Sequence, residues 1–117
     1  MKENTIAEKS LAFAVRIVNA YKALQDRKES VMSKQMLRSG TSIGANVREG
    51  CAAQSRPDFA SKLGIALKEC NETLYWLELL HKTEYFTSSE YMSLNKDCSE
   101  LFAILTSIIK TTKGGSS

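Results

Sequence analysis

A single proline, Pro57, and six glycines, at positions 40, 44, 50, 64, 114 and 115, leave most of these 117 residues free of anything that interrupts a helix. Between those points apolar residues recur every three or four positions, and no run alternates with the period of two that a half-buried strand requires. Helix one is expected over about 5 to 25, opened by Thr5-Ile6-Ala7-Glu8, the spacing of a capping box. The polar cluster Gln25 to Glu29 makes a turn, and Ser30 or Ser33 caps a second helix running to about residue 54. Ser55-Arg56-Pro57-Asp58 combines a capping serine, a proline in the first turn and an acid suited to the helix dipole, so helix three spans about 57 to 82. Thr87-Ser88-Ser89-Glu90 repeats the capping-box spacing and opens helix four, about 88 to 112. Short connections between long helices favour antiparallel neighbours. The expected fold is therefore all-α, an up-down-up-down four-helix bundle over residues 1–112, with residues 113–117 as a disordered tail.

Composition narrows the class. At 43% hydrophobic and 25% charged, with a formal charge of +3, the chain reads as one soluble globular domain whose net charge does not by itself identify a partner. The apolar run from Leu11 to Val15 ends at Arg16, too short for a signal peptide or a membrane span, so a cytoplasmic location is expected. Cys51, Cys70 and Cys98 are far apart and odd in number, and they read as small buried hydrophobes. His81 is the only histidine and has no Cys or second His to complete a zinc set. No Ser or Cys has an evident His base, and the glutamates lack di-iron spacing. Neither a catalytic residue, a metal nor a cofactor is expected.

At about 100° per residue, helix four gathers Tyr91, Leu94, Cys98, Leu101, Phe102, Leu105, Ile108 and Ile109 on one face. Helices one and three carry a second apolar stripe. Opposite the Ile6, Phe13, Ile17, Leu24 stripe of helix one lie Leu11, Val15 and Val18. Opposite the Leu63, Ala66, Cys70, Leu77 stripe of helix three lie Ile65, Trp76 and Leu79. A four-helix monomer leaves such outer faces wet, so these six residues form the expected interface with another copy of the chain. The plainer alternative is that isolated surface hydrophobes are common.

Helix two is dense in small and polar residues. Gly40 and Gly44 each cost about 1 kcal/mol relative to Ala in a helix interior, which points to close backbone approach, with a flexible or kinked helix as the alternative. Antiparallel pairing about a turn near Ser55 sets Gly40 beside Cys70, Gly44 beside Ala66 and Arg38 level with Glu72. Beside this seam runs a polar stripe, Arg38, Ser42, Asn46 and Glu49, open to three readings. It can satisfy itself through hydrogen bonds and ion pairs between helices or subunits. Alternatively, Arg38 joins Lys34, Arg48 and Arg56 as a basic strip for phosphates, since residues 30 to 56 hold these four bases against the single acid Glu49. It can also be a solvated face without a role.

The segment from Arg38 and Ser39 through Ser42-Ile43 and Asn46-Val47 to Glu49-Gly50, followed by Phe59, Ile65-Ala66, Glu69 and Leu74 to Leu80, resembles the four-helix-bundle family encoded by intervening sequences in bacterial 23S ribosomal RNA genes. Gly44 and Leu67-Lys68 depart mildly from its usual residues, and helices one and four match in pattern only. The resemblance implies a bacterial protein in which Arg38, Gly40, Ser42, Gly44, Asn46, Glu49, Gly50, Glu69 and Glu72 belong to a structural signature. It implies self-assembly, with a homopentameric ring as the expected form. It also extends to the related accessory protein of diversity-generating retroelements, which implies RNA or DNA and a reverse transcriptase as partners. The expectation from sequence is a non-enzymatic accessory or scaffold protein that binds nucleic acid. A module that contacts only other proteins is the alternative.

Overall fold

The computed structural model describes residues 2–114, with side chains from Thr5 to Thr112. Four helices follow one another, α1 (Lys2–Asp26), α2 (Met32–Cys51), α3 (Arg56–Lys82) and α4 (Ser88–Gly114). Each packs on the next and α4 returns to α1, while α1 and α3 stand at opposite corners without backbone contact, as do α2 and α4. This is the expected up-down-up-down bundle, 49 × 20 × 20 Å. Its axis is filled by the predicted stripes, among them Ile6, Phe13 and Ile17 of α1, Leu63 and Leu77 of α3, and Leu101 and Leu105 of α4, together with Met36, Ile43 and Val47 of α2. α4 continues to Gly114, two residues past the expected end. The remainder of the expected tail, 115–117, lies outside the described residues.

Local signals succeed where they are not buried in a helix. Ser55, in extended conformation, accepts from the Asp58 N–H at 3.2 Å with Pro57 in the first turn. Thr87 and Glu90 form the full reciprocal box: the Glu90 N–H donates to Thr87 Oγ1 at 3.1 Å and the Thr87 N–H to Glu90 Oε1 at 2.8 Å. The Thr5–Glu8 box is a correction, because α1 already begins at Lys2 and the motif lies inside it.

Two further corrections concern α2. It ends at Cys51 rather than 54, and neither Ser30 nor Ser33 caps its start. The cap is Glu29, in the turn before it. Its buried carboxylate accepts from the N–H groups of Val31 (3.1 Å), Met32 (3.0 Å) and Ser33 (2.6 Å). Burial pushes the Glu29 carboxyl up, but the Met32, Ser33 and Val31 N–H groups together outweigh it and hold the group below its ordinary value. The same turn closes α1 as a Schellman motif: Lys28 takes φ 67°, its N–H donates to the Gln25 carbonyl at 3.0 Å, and the Glu29 N–H donates to the Leu24 carbonyl at 2.9 Å. Glu84, at φ 70°, does the same after α3.

The glycines face a different helix from the one expected. A Cβ on Gly40 would stand 2.9 Å from two carbons of Ile17, and one on Gly44 would stand 3.3 Å from the Ser10 carbonyl oxygen, so both serve the α1 seam and not Cys70 or Ala66 of α3. Facing α3 instead are Ser39, whose Oγ accepts from Thr73 Oγ1 at 2.9 Å, and Gly50, against Lys62 and Leu63. The expected height along α3 is correct, and the rotation is off by about a third of a turn. Cys51 is also corrected: it is exposed, whereas Cys70 and Cys98 are buried between α3 and α4 with sulfurs 3.6 Å apart. Contact with Cys70, and burial, push the Cys98 thiol up, so it stays protonated.

Two predictions follow from this packing. Gly40→Ala should lower stability, because an overpacking cost of about 1–3 kcal/mol exceeds the helix-propensity gain, whereas Gly64→Ala, with open space around it, should gain about 1 kcal/mol. Urea midpoints of the two variants should move in opposite directions. Glu29→Ala should cost about 2 kcal/mol at neutral pH. Because the folded pKa of Glu29 is depressed, its stabilisation is present above the unfolded value of about 4.3 and lost as pH falls through the folded value. The gap between wild type and variant in denaturation curves should therefore narrow below about pH 4.

Candidate functional site

The polar stripe of α2 meets α3 at one cluster. Arg38 extends over α3, its Nη1 3.3 Å from both carboxylate oxygens of Glu69 and its Nη2 bonded to Glu72. Glu72 also accepts from Trp76 Nε1 at 2.9 Å. The expected level pairing of Arg38 with Glu72 is present, and Glu69 completes it. Arg38 and then Trp76 hold the Glu72 carboxyl below its ordinary value. Along the rest of the stripe, donors turn back on their own helix: Ser42 Oγ donates to the Arg38 carbonyl at 2.6 Å and Asn46 Nδ2 to the Ser42 carbonyl at 2.9 Å. Glu49 is exposed and lies 3.7 Å from Lys62. Two carboxylates share one guanidinium here, so the centre of the stripe carries a net negative charge. A phosphate would have to displace those carboxylates to reach Arg38.

The four bases of the expected strip therefore divide. Arg38 is neutralised in place, whereas Lys34, Arg48 and Arg56 are exposed and carry no ion pair among the described residues. Lys34 and Arg48 point outward from α2 about 20 Å apart along the helix, and Arg56 is the first residue of α3.

Of the six apolar residues expected at an interface, Leu11 is 53% exposed, Val15 54% and Ile65 40%. Val18, Trp76 and Leu79 are half-buried, and Trp76 packs against the core. Tyr75, which sequence reasoning missed, is exposed with its ring edge-on to Trp76 at 4.9 Å. Its mixed polarity hid it from an apolar stripe. Beside Leu11 the close α1–α2 approach leaves an open groove of about 360 Å³, with Ala7, Leu11, Ala14, Gly44 and Ala45 as its apolar lining and Thr41, Arg48 and Glu49 as its polar members.

One pairing was not expected. His81 Nε2 lies 3.3 Å from Ser88 Oγ across the α3–α4 turn, and the imidazole stacks on Tyr91 at 4.4 Å. The dyad is exposed, and no hydrogen bond orients the second ring nitrogen among the described residues, unlike the third member of a catalytic triad. No group of three metal-ligating side chains comes together among the described residues, and none of the described helices is long and apolar enough to cross a membrane.

Among known proteins, the model of the family described as 23S rRNA-intervening sequence protein matches residues 2–107. A crystal structure described as a protein of unknown function from the S23 ribosomal protein family of Bacteroides thetaiotaomicron VPI-5482 is similar at 64% sequence identity, covering 95% of this chain and 100% of that one, with a TM-score of 0.93. No curated protein matches.

The Arg38 cluster generates a prediction of its own. Arg38→Ala should change stability by less than about 1 kcal/mol, since half-exposed ion pairs contribute little. It should also raise the Glu72 pKa toward the ordinary carboxylate range, as carbon-detected NMR titration of Glu72 would register.

Proposed function

The chain belongs to the 23S rRNA-intervening sequence protein family, and on that premise we propose that it works by binding rather than by catalysis, as a self-associating bundle that holds RNA or DNA on exposed basic residues. The observation that carries this reading is the pair of uncovered apolar surfaces, Leu11 and Val15 on α1 and Ile65 and Tyr75 on α3, at opposite corners of the square. A solitary bundle gains nothing from large apolar side chains on two separate outer faces. A second copy covers them. A ring of five, as the family resemblance implies, is the assembly we favour, in the bacterial cytoplasm.

For the nucleic acid, support comes from Lys34, Arg48 and Arg56, which make no ion pair among the described residues. Repeated around an assembly, three such residues per subunit make a discontinuous basic belt, suited to phosphates and indifferent to sequence. A reverse transcriptase or another enzyme acting on that nucleic acid is the accompanying partner of this reading. The neutralised Arg38 favours the second reading, a module that contacts only other proteins.

The two readings separate in a salt titration. Binding through these three residues should weaken with a log–log slope of about −2 to −3 per subunit footprint. Lys34→Ala, Arg48→Ala and Arg56→Ala combined should abolish it while Arg38→Ala leaves it intact, read by fluorescence anisotropy on a labelled RNA and a labelled duplex. Unchanged affinity in the triple variant would overturn the basic-belt assignment, and no binding by the wild type at low salt would favour the protein-only module.

A further inference from the structure

Cys70 and Cys98 face each other across the α3–α4 seam, and the binding function proposed above makes no use of them. Their sulfurs are in contact at 3.6 Å, Cys70 Sγ donates to the Cys98 carbonyl at 3.2 Å, and Cys98 Sγ donates to the Cys70 carbonyl at 3.6 Å. Each thiol thus lies against the main chain of the other residue, an arrangement that needs small side chains on closely packed helices. From contact to a covalent bond the two sulfurs have only about 1.5 Å to close.

In the closed bundle the pair is inert. Both side chains are fully buried, and a thiol in such surroundings keeps its proton and is no nucleophile. The way in is past α1. Cys98 sits between Asp97, gripped by Arg16, and Glu100, reached by Lys9, and a cleft of about 190 Å³ on the same seam is lined by Phe13, Arg16, Asp97 and Leu101 among others. This α1–α4 seam is the least extensive of the four. Parting it uncovers the core side of α4 while the more extensive α3–α4 seam keeps the two sulfurs together.

We propose that Cys70 and Cys98 are a redox-sensitive staple, closing to a reversible disulfide when the α1–α4 seam parts in the presence of a small disulfide oxidant such as glutathione disulfide. One thiol, once uncovered, gives up its proton and its sulfur attacks the oxidant, releasing one glutathione thiolate. The second cysteine, deprotonated in turn, attacks the mixed disulfide at the first cysteine's sulfur and releases the other glutathione. Two glutathione thiols leave with the two protons and two electrons. The new bond joins positions 28 apart around the α3–α4 turn, restricts the unfolded chain and holds α4 to α3.

Replacing the exposed Cys51 by Ser first removes competing bridges between chains. The folded Cys51→Ser protein, incubated with glutathione disulfide at neutral pH, should become two hydrogens lighter by mass spectrometry and yield a Cys70–Cys98 linked peptide on digestion without reduction. Its urea midpoint should rise, dithiothreitol should reverse both changes, and a further Cys98→Ala substitution should abolish them. Arg16→Ala should speed bridge formation several-fold. Glutathione adducts that never resolve to a bridge, no reaction of the folded chain, or a midpoint that falls on oxidation would each overturn the staple. A rate indifferent to Arg16→Ala would overturn entry through the α1–α4 seam.

Discussion

The bundle depends on how closely α1 and α2 approach. Without side chains at Gly40 and Gly44, the α2 backbone reaches the buried Ile17 and the Ser10 carbonyl of α1. That approach turns α2 so that Ser39, Ile43 and Gly50 serve the inner and α3 sides, while Arg38 is left to reach outward across to Glu69 and Glu72. It also keeps the outer surface between the two helices concave, since Ala and Gly cannot fill it. One steric allowance thus organises the core, the charged cluster and the outer groove.

Much of this was legible in the sequence wherever the governing interaction is local. The Ser55 and Thr87–Glu90 caps follow a three-residue grammar that needs no knowledge of the rest of the fold, and the face of α4 follows from period alone because that helix packs on one side only. Arg38 opposite Glu72 was legible because an antiparallel turn of known length sets the height along the partner helix. The rotation of α2 was not, since a helix wedged between two neighbours has two buried faces and residue type does not say which neighbour gets the glycines. Thr5–Glu8 misled because the same tetrad fits inside a helix as well as at its start. Glu29 was missed although its contacts are local, because a glutamate before a helix becomes a cap only when the turn folds its long side chain back beneath three amides.

The candidate site was legible in its membership and less so in its electrostatics. All four bases were found by counting, but a count cannot distinguish a base that has partners from one that has none. Arg38 has two carboxylate neighbours, supplied by a helix some thirty residues further along the chain, and these reverse the sign of the local field. The bases without an ion pair among the described residues are those toward the two ends of α2 and at the start of α3, with Arg48 inside the signature segment and Lys34 and Arg56 outside it. His81 and Ser88 were likewise invisible as a pair, because only the tight α3–α4 turn brings them together.

Three of the four seams of the square join helices that are neighbours in sequence; the fourth joins the first helix to the last, where Arg16 grips Asp97 and Ser93 and Lys9 reaches Glu100. That seam is the least extensive, and half-exposed ion pairs run along its surface. In kinetic terms, the hairpins form from short-range contacts and the closure of α1 on α4 bears nearly all the loop entropy. The molecule is therefore a chain of three robust hinges with one light clasp, and the clasp is where it is expected to open first when strained.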